Sequence, residues 1–491
     1  MSLKEQKQRQ VRKQLDELIF QLEASAKKDY RLDQVELEIF KQLLNLGLHL
    51  LQYYIMLVSQ MVLLRGAPLD QDGQKMRHSG KICRRYRSIY GELQIERIKY
   101  YSYSDRQIYY TLDEELSLPD GSYSYVLQDW LSYAACELDF DQSAKFLARM
   151  LFQNFEGMQS SRVAHHLCER VEQFYQSQDG VRLAAQDGPY LCLGADGKGV
   201  PIIRSDRDGP VLSTIARLGK GKPKGIKKEA TVCVSSSFVP RSRNAEQLLA
   251  ALFRHDTKTQ VEAQTGDHQF HIQKHVRAFV ANKPRSIEYG IENLLKRDPS
   301  GEKPIITLMD GAPALKNQIL KVIKQKGLEE RLDACILDFI HVLEKLWQVA
   351  NAYKGENAPD RQEWVEQQAR KLLNSQTEQV IIECRRIQQL KSYTKHRAKN
   401  IKDCIRYFEK RIDMMDYKTF LAKGFPITTG AVESACGHFV KGRMERNGMR
   451  WTLNGAQKIL DLRAVCTNKD WQSFIQFSIE QEQQQLYKIA A

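Results

Sequence analysis

The sequence predicts a mixed fold, part α/β and part all-α, spread over several domains. Strand-like apolar runs alternate with helical patterns between residues 187 and 342, as in an α/β sheet. The segment 343–424 is almost wholly helix-forming and too long to be a loop in a compact domain. Residues 81–112 alternate apolar and polar around a Gly-containing turn, the mark of a β-hairpin. A chain of 491 residues also exceeds what one compact core accommodates.

Composition narrows the class. Hydrophobic residues make up 42% and charged residues 27%, which fits a folded globular chain and not a disordered one. The formal net charge of +14 favours a polyanionic partner. Ten cysteines are scattered with no C-x-x-C pair, which argues against zinc knuckles and thioredoxin-like sites and fits reduced cytosolic thiols. The first residues lack the apolar core of a signal peptide, so a cytoplasmic, nucleoid-associated location is expected.

Region 1–78 begins with a charged helix over 4–28. An apolar helix follows over 33–65, rich in Leu43, Leu44, Leu46, Leu50, Leu51, Leu57 and Val58. A membrane span needs about 20 largely apolar residues. Asn45, His49, Gln52, Ser59 and Gln60 interrupt this one, so a buried core helix or a self-associating helix is expected, with no membrane partner. Region 79–120 carries the hairpin around Ile89-Tyr90-Gly91, with Arg84, Arg85, Arg87, Arg97 and Lys99 making it basic. Region 121–186 reads as three helices, 123–137, 140–152 and 161–175, with a Gly-containing turn before the last. That is the helix-turn-helix plan, and Arg162, His166 and Arg170 would face DNA.

The sheet region 187–342 repeats one pattern twice: an apolar strand ending in Asp196-Gly197, and another ending in Asp310-Gly311. A single Asp-Gly is usually a turn. Here the pair is joined by Glu433, near the head of a predicted helix inside residues 424–451 that also carries Lys441, Arg443 and Arg446. Strand-end carboxylates converge at one edge of an α/β sheet. Three carboxylates can hold two divalent ions roughly 3.5–4 Å apart, as phosphodiester chemistry requires. Asp206, Asp208 and Asp338 are rival ligands. The loop 217–228 offers Lys220, Lys222 and Lys224 to a nucleic acid. Residues 343–424 form an all-helical insertion, and 425–491 return to the sheet region.

These residues carry a resemblance. The order Asp196, Asp310, Glu433, with a helical insertion before the glutamate, resembles the DDE transposases of bacterial insertion sequences. Gly430-Ala-Val-Glu-Ser-Ala-Cys436, Arg443-Met-Glu-Arg-Asn-Gly-Met-Arg-Trp451 and Ile459-Leu-Asp-Leu-Arg463 resemble the ISKra-type branch. Thr429 stands where serine is expected before Gly430. The resemblance implies an RNase H-like catalytic domain, cleavage of element ends and transfer of the 3′-hydroxyl into target DNA. It also implies two Mg²⁺ or Mn²⁺ ions per site, double-stranded DNA as partner, and a homodimer or higher oligomer. Asp338-Phe-Ile-His341 resembles the acidic-x-x-His motif of Mutator-like relatives, which implies that His341 contacts the scissile phosphate; a structural histidine is the alternative. Two other classes stay open: a catalytically silent DNA-binding protein derived from a transposase, and an RNase H-like metal nuclease.

Overall fold

The computed structural model describes residues 3–27, 30–178, 187–203, 217–218, 222–223, 227–253, 271–390, 392–428, 430 and 435–487. The chain forms two compact units, Met1–Tyr175 with Asp470–Ala491, and Gln176–Lys469. The described residues are mainly helical, with one five-stranded mixed sheet and one three-stranded sheet.

In the first unit, α1 (Leu3–Ala26) packs on α2 (Leu32–Arg65). By length and composition α2 is long and apolar enough to cross a membrane. It is not the buried core helix that is one of the sequence expectations, because only 6% of its most apolar window is covered. The hairpin β1 (Arg77–Ser88) and β2 (Gly91–Tyr101) turns at Ile89-Tyr90, with Ser88 opposite Gly91. The short β3 (Ile108–Tyr109) completes the small sheet, and α3 (Thr111–Glu115) follows. Val58 and Val62 of α2 pack with Leu93, Ile95, Leu112 and Leu118. Two of the basic hairpin residues are structural: Arg84 and Arg97 both pair with the buried Asp113.

Four helices follow: α4 (Tyr125–Glu137), α5 (Phe140–Leu151), α6 (Gly157–Cys168) and α7 (Val171–Ser177). The single helix expected over 161–175 is two helices, broken at Glu169-Arg170, and the first starts four residues early at Gly157. The early start has a cause. A side chain at 157 would meet the Asp141 carboxylate at 1.8 Å, so only glycine lets α6 start against α5. The C-terminal helix Trp471–Tyr487 belongs to this unit, with Phe474 and Phe477 against Phe174.

In the second unit the sheet order is β10-β9-β4-β7-β8. β4 (Tyr190–Pro201) is central. The antiparallel β7 (Lys227–Phe238) and β8 (His271–Val280) lie on one side, and the parallel β9 (Ile305–Met309) and β10 (Leu332–Leu337) on the other. A two-residue ribbon, β5 (Arg217–Leu218) with β6 (Lys222–Pro223), lies between β4 and β7 in sequence. β8 has no counterpart in the sequence reading, because His271, Lys274, His275 and Arg277 obscure its apolar alternation. The helices Phe339–Tyr353, Arg361–Leu373, Thr377–Leu390 and Lys395–Glu409 share one hydrophobic core with the sheet, running from Leu191 through Leu346, Leu372 and Phe408 to Ile427.

Candidate functional site

The sheet register brings the two Asp-Gly steps together. β4 and β9 pair in parallel up to Ala195 opposite Met309. The next residue on each chain is Asp196 and Asp310. Neighbouring strands lie about 4.8 Å apart, so the two carboxylates start from adjacent positions. β10 ends in the same row, with Leu337 opposite Met309, and Asp338 donates its N–H to the Met309 carbonyl at 2.8 Å. Asp310 and Asp338 thus follow two neighbouring strands, beside Asp196 within the third.

Their surroundings differ. Asp196 and Asp310 are half-buried, whereas Asp338 is 1% exposed. Asp338 is taken up locally, since its carboxylate accepts from the Ile340 N–H at 2.9 Å and starts the helix Phe339–Tyr353. Asp310 accepts from the Ala312 N–H at 2.8 Å. Asp196 accepts from the Gly197 N–H at 2.6 Å. Asp196 is not at a strand end, as the sequence suggested. β7 pairs with β4 as far as Pro201 opposite Lys227 and carries the strand onward.

His341 lies one turn into the helix that Asp338 caps. Its Nδ1 is 3.1 Å from Glu344 Oε2, and its Nε2 is 4.0 Å from Asp338 Oδ2. Burial disfavours its charged form. The Glu344 hydrogen bond and the charges of Asp338, Glu344 and Asp196 outweigh that and raise its pKa. The influence of Asp196 ties His341 to the paired aspartates.

Several contributors to this site carried no functional signal in the sequence reading. Cys436 is buried in a turn that packs against β4; burial, then the Asp196 charge, pushes its thiol up. Tyr407, on the helix Lys395–Glu409, donates its hydroxyl to the Asp310 carbonyl at 2.8 Å. Arg411 donates to the Gly311 carbonyl at 2.6 Å and stacks on the Tyr407 ring at 4.0 Å. Cys436 lies in a motif already singled out. Tyr407 and Arg411 act on a loop about a hundred residues away, and nothing local to them signals that.

Glu433 lies outside the described residues, as do Asp206, Asp208, Lys220 and Lys224. Lys222 falls in the ribbon strand β6. The helix expected through Lys441 and Arg446 is instead a wide π-type turn, Ala435–Lys441, then Gly442–Met444 and a 3-10 turn, Arg446–Gly448. A π-type turn displaces its carbonyls from regular pairing. The buried Arg463 answers two of them, donating to the His438 and Phe439 carbonyls at 2.8 Å each. Lys441 and Arg446 are exposed. Arg443, expected at a phosphate, is fully buried under the Trp451 ring at 4.9 Å, with its guanidinium 3.1 Å from Met449 Sδ. It packs the segment and does not face solvent.

The basic residues between 162 and 170 also separate. Arg162 is exposed. Arg170 is buried against Glu482 of the C-terminal helix at 3.3 Å, and His166 lies 3.5 Å from the same carboxylate. Arg170 therefore holds helices together and is not available to DNA in this arrangement.

Asp196 and Asp310 give a hard divalent ion two carboxylate donors side by side. Among the described residues no group of three or more ligating side chains is gathered, and Glu433 is not among them. No protein-family model matches the chain, and no curated protein sequence matches it.

Proposed function

We propose that the chain is a DDE-type DNA transposase with Asp196, Asp310 and Glu433 as its catalytic carboxylates. What supports this is the register Ala195 opposite Met309, after which both strands present an aspartate at one row of the sheet. The turn Ala435–Lys441 adds to it by packing against β4, with the Cys436 thiol within reach of the Asp196 charge. Glu433 stands three residues before Cys436 in the same stretch of sequence. A central first strand, flanked by an antiparallel pair and a parallel pair, supports an RNase H-like domain. The helices between residues 343 and 424 then form the insertion that the resemblance implies.

Asp196, Asp310 and Glu433 would hold two Mg²⁺ or Mn²⁺ ions, which supply Lewis acidity at the attacking and leaving oxygens of a phosphodiester. The remaining work belongs to side chains. His341, with its charged form favoured, donates to a phosphate oxygen. Tyr407 and Arg411 fix the Asp310-Gly311 turn, so the carboxylate keeps its place when DNA binds. Exposed Lys395, Arg397, Lys399 and Lys402 lie on the helix that carries Tyr407, and exposed Lys441 and Arg446 follow Cys436. These cations would hold backbone phosphates. In the first unit α5 and α6 form the helix pair for end recognition, with Arg162 as its exposed cation.

Cleavage and joining of DNA that carries the sequences flanking the gene tests the proposal. With Mg²⁺ or Mn²⁺, the protein is expected to nick the ends and join the 3′-hydroxyl to a target plasmid. Asp196→Asn, Asp310→Asn and Glu433→Gln should each lower both steps by about 10³-fold or more. Ordinary joining by any one variant removes that residue from the site. Cutting without joining identifies a nuclease, and binding without cutting identifies a DNA-binding protein.

A further inference from the structure

The first unit holds a cavity of about 920 Å³, lined by the hairpin, the segments on either side of it and the end of the C-terminal helix. Its floor follows from the strand pattern. Ile95 and Arg97 are two residues apart on β2, and Arg84 of β1 lies opposite Ile95, so all three share one side of the small sheet. Both arginines reach Asp113 of α3, which is 5% exposed. Arg84 also donates to the carbonyls of Pro119, Asp120 and Gly121. The rest of the cluster is less complete. Both guanidinium groups meet Asp113 at Oδ2, so its buried Oδ1 has no hydrogen-bond partner, and neither has the buried Nε of Arg97. Buried polar atoms are normally paired, and an unpaired one keeps the full cost of leaving water. The walls are aromatic and held in place. Tyr110 lies under the Arg97 guanidinium, 3.8 Å from its ring centre. The Tyr109 hydroxyl is tied to Asp105, and the Tyr487 hydroxyl donates to the Leu118 carbonyl at 2.6 Å.

We infer that this cavity binds one unpaired nucleobase, its edge on Asp113 Oδ1 and Arg97 Nε and its face against tyrosine. Charge restricts the occupant of the floor. A phosphate or carboxylate there would meet the Asp113 carboxylate, with Glu114 and Asp120 also in the lining, and an ammonium group would meet two guanidinium groups. The floor suits a neutral group that sets a donor, for Oδ1, beside an acceptor, for Nε. The edge of a nucleobase has that pairing, and its flat face stacks on aromatic rings. Rings already fixed by their hydroxyls lose little freedom when a flat ligand arrives. The volume is that of a small-molecule site, so sugar and phosphate fit with the base. A free nucleotide and a base turned out of a DNA strand present the same chemistry. The inference does not rest on the transposase reading, because none of Asp196, Asp310 and Glu433 lines the cavity.

Ligand-observed NMR on the full chain, without metal, tests it with the four deoxynucleosides, with deoxyribose and with acetamide. The best nucleoside is expected to bind with Kd on the order of 1 mM, and deoxyribose and acetamide far more weakly. Gly121 lines the cavity, and a side chain there would have nothing within 4 Å of its first carbon. Gly121→Trp should therefore fill the space, keep the circular dichroism spectrum and weaken binding about tenfold or more. Asp113→Asn should weaken it as well; because that change also breaks two ion pairs, Gly121→Trp decides if the Asn variant does not fold. Anisotropy of a labelled duplex with one unpaired copy of the preferred base then identifies the source. Displacement of that duplex by the nucleoside assigns the base to DNA, and binding of the nucleoside without displacement assigns it to a free nucleotide; both uphold the cavity. Failure of every nucleoside to bind, or wild-type affinity in Gly121→Trp, overturns the inference. Acetamide binding as tightly as the nucleosides also overturns it, and gives the floor to a peptide amide.

Discussion

The two Asp-Gly steps are alike in sequence and unlike in structure. Asp310-Gly311 ends its strand. Gly311 has φ +77°, and a side chain there would meet Leu337 Cδ1 at 2.4 Å and Arg411 Nε at 2.6 Å. Asp196-Gly197 lies inside a strand, and a side chain at 197 would meet only the far end of Glu229, whose carboxylate carbon is 2.8 Å away. Both neighbours of β9 are parallel and pair with it no further than Met309, so the chain leaves the sheet there. β4 has an antiparallel partner that continues. A dipeptide therefore does not specify a turn; its neighbours in the sheet do.

The sharpest way to test that contrast is at the glycines. Gly311→Ala should lose about 3 kcal/mol of stability, from backbone strain and overpacking together. Chemical denaturation reads it, and a loss as small as that of the other glycine would break the comparison. Next, Tyr407→Phe removes the hydroxyl bonded to the Asp310 carbonyl and should cost about 1 kcal/mol, with faster amide exchange at Gly311 and Ala312. Gly197→Ala should cost below about 1 kcal/mol, because the exposed Glu229 side chain can move aside.

The smallest effect is a titration. His341 has a raised folded-state pKa, so its contribution to stability is fully present below the ordinary value of 6.5 and is lost as pH rises through the folded value. NMR of the imidazole should show a midpoint above 6.5 that falls in Glu344→Gln. A midpoint at or below 6.5 in the native protein removes the link between His341 and the carboxylates. His275 offers the opposite sign. Burial, then the charges of Arg297, Arg277 and Lys296, holds its pKa down at about 3. The unfolded chain takes up a proton there as pH falls below 6.5, so Tm should drop between pH 7 and 5, and less steeply in His275→Gln.

Much of the sheet was legible from local pattern. The apolar runs before Asp196 and Asp310, the hairpin at Ile89-Tyr90-Gly91 and the helix Pro313–Gln325 follow from composition and spacing over a few residues. β8 was not legible, because two buried positions on one of its faces carry His275 and Arg277, which are held by Tyr289 and Asp461. Those partners are distant in sequence. The basic residues were legible as charges but not by role: Arg162 and Arg446 stay at the surface, while Arg170 and Arg443 are buried.

The sequence by itself determined most of the strand-forming runs, which residues are chemically able to bind a divalent ion, and that residues 33–65 form a long apolar helix. Only the tertiary structure decided that Asp196 and Asp310 are register neighbours, that Asp338 is taken by its own helix, and that the turn carrying Cys436 packs against β4. The reason is physical. Periodicity is set by the geometry of one chain segment, whereas register, burial and the pairing of charges are set by whichever segment arrives beside it.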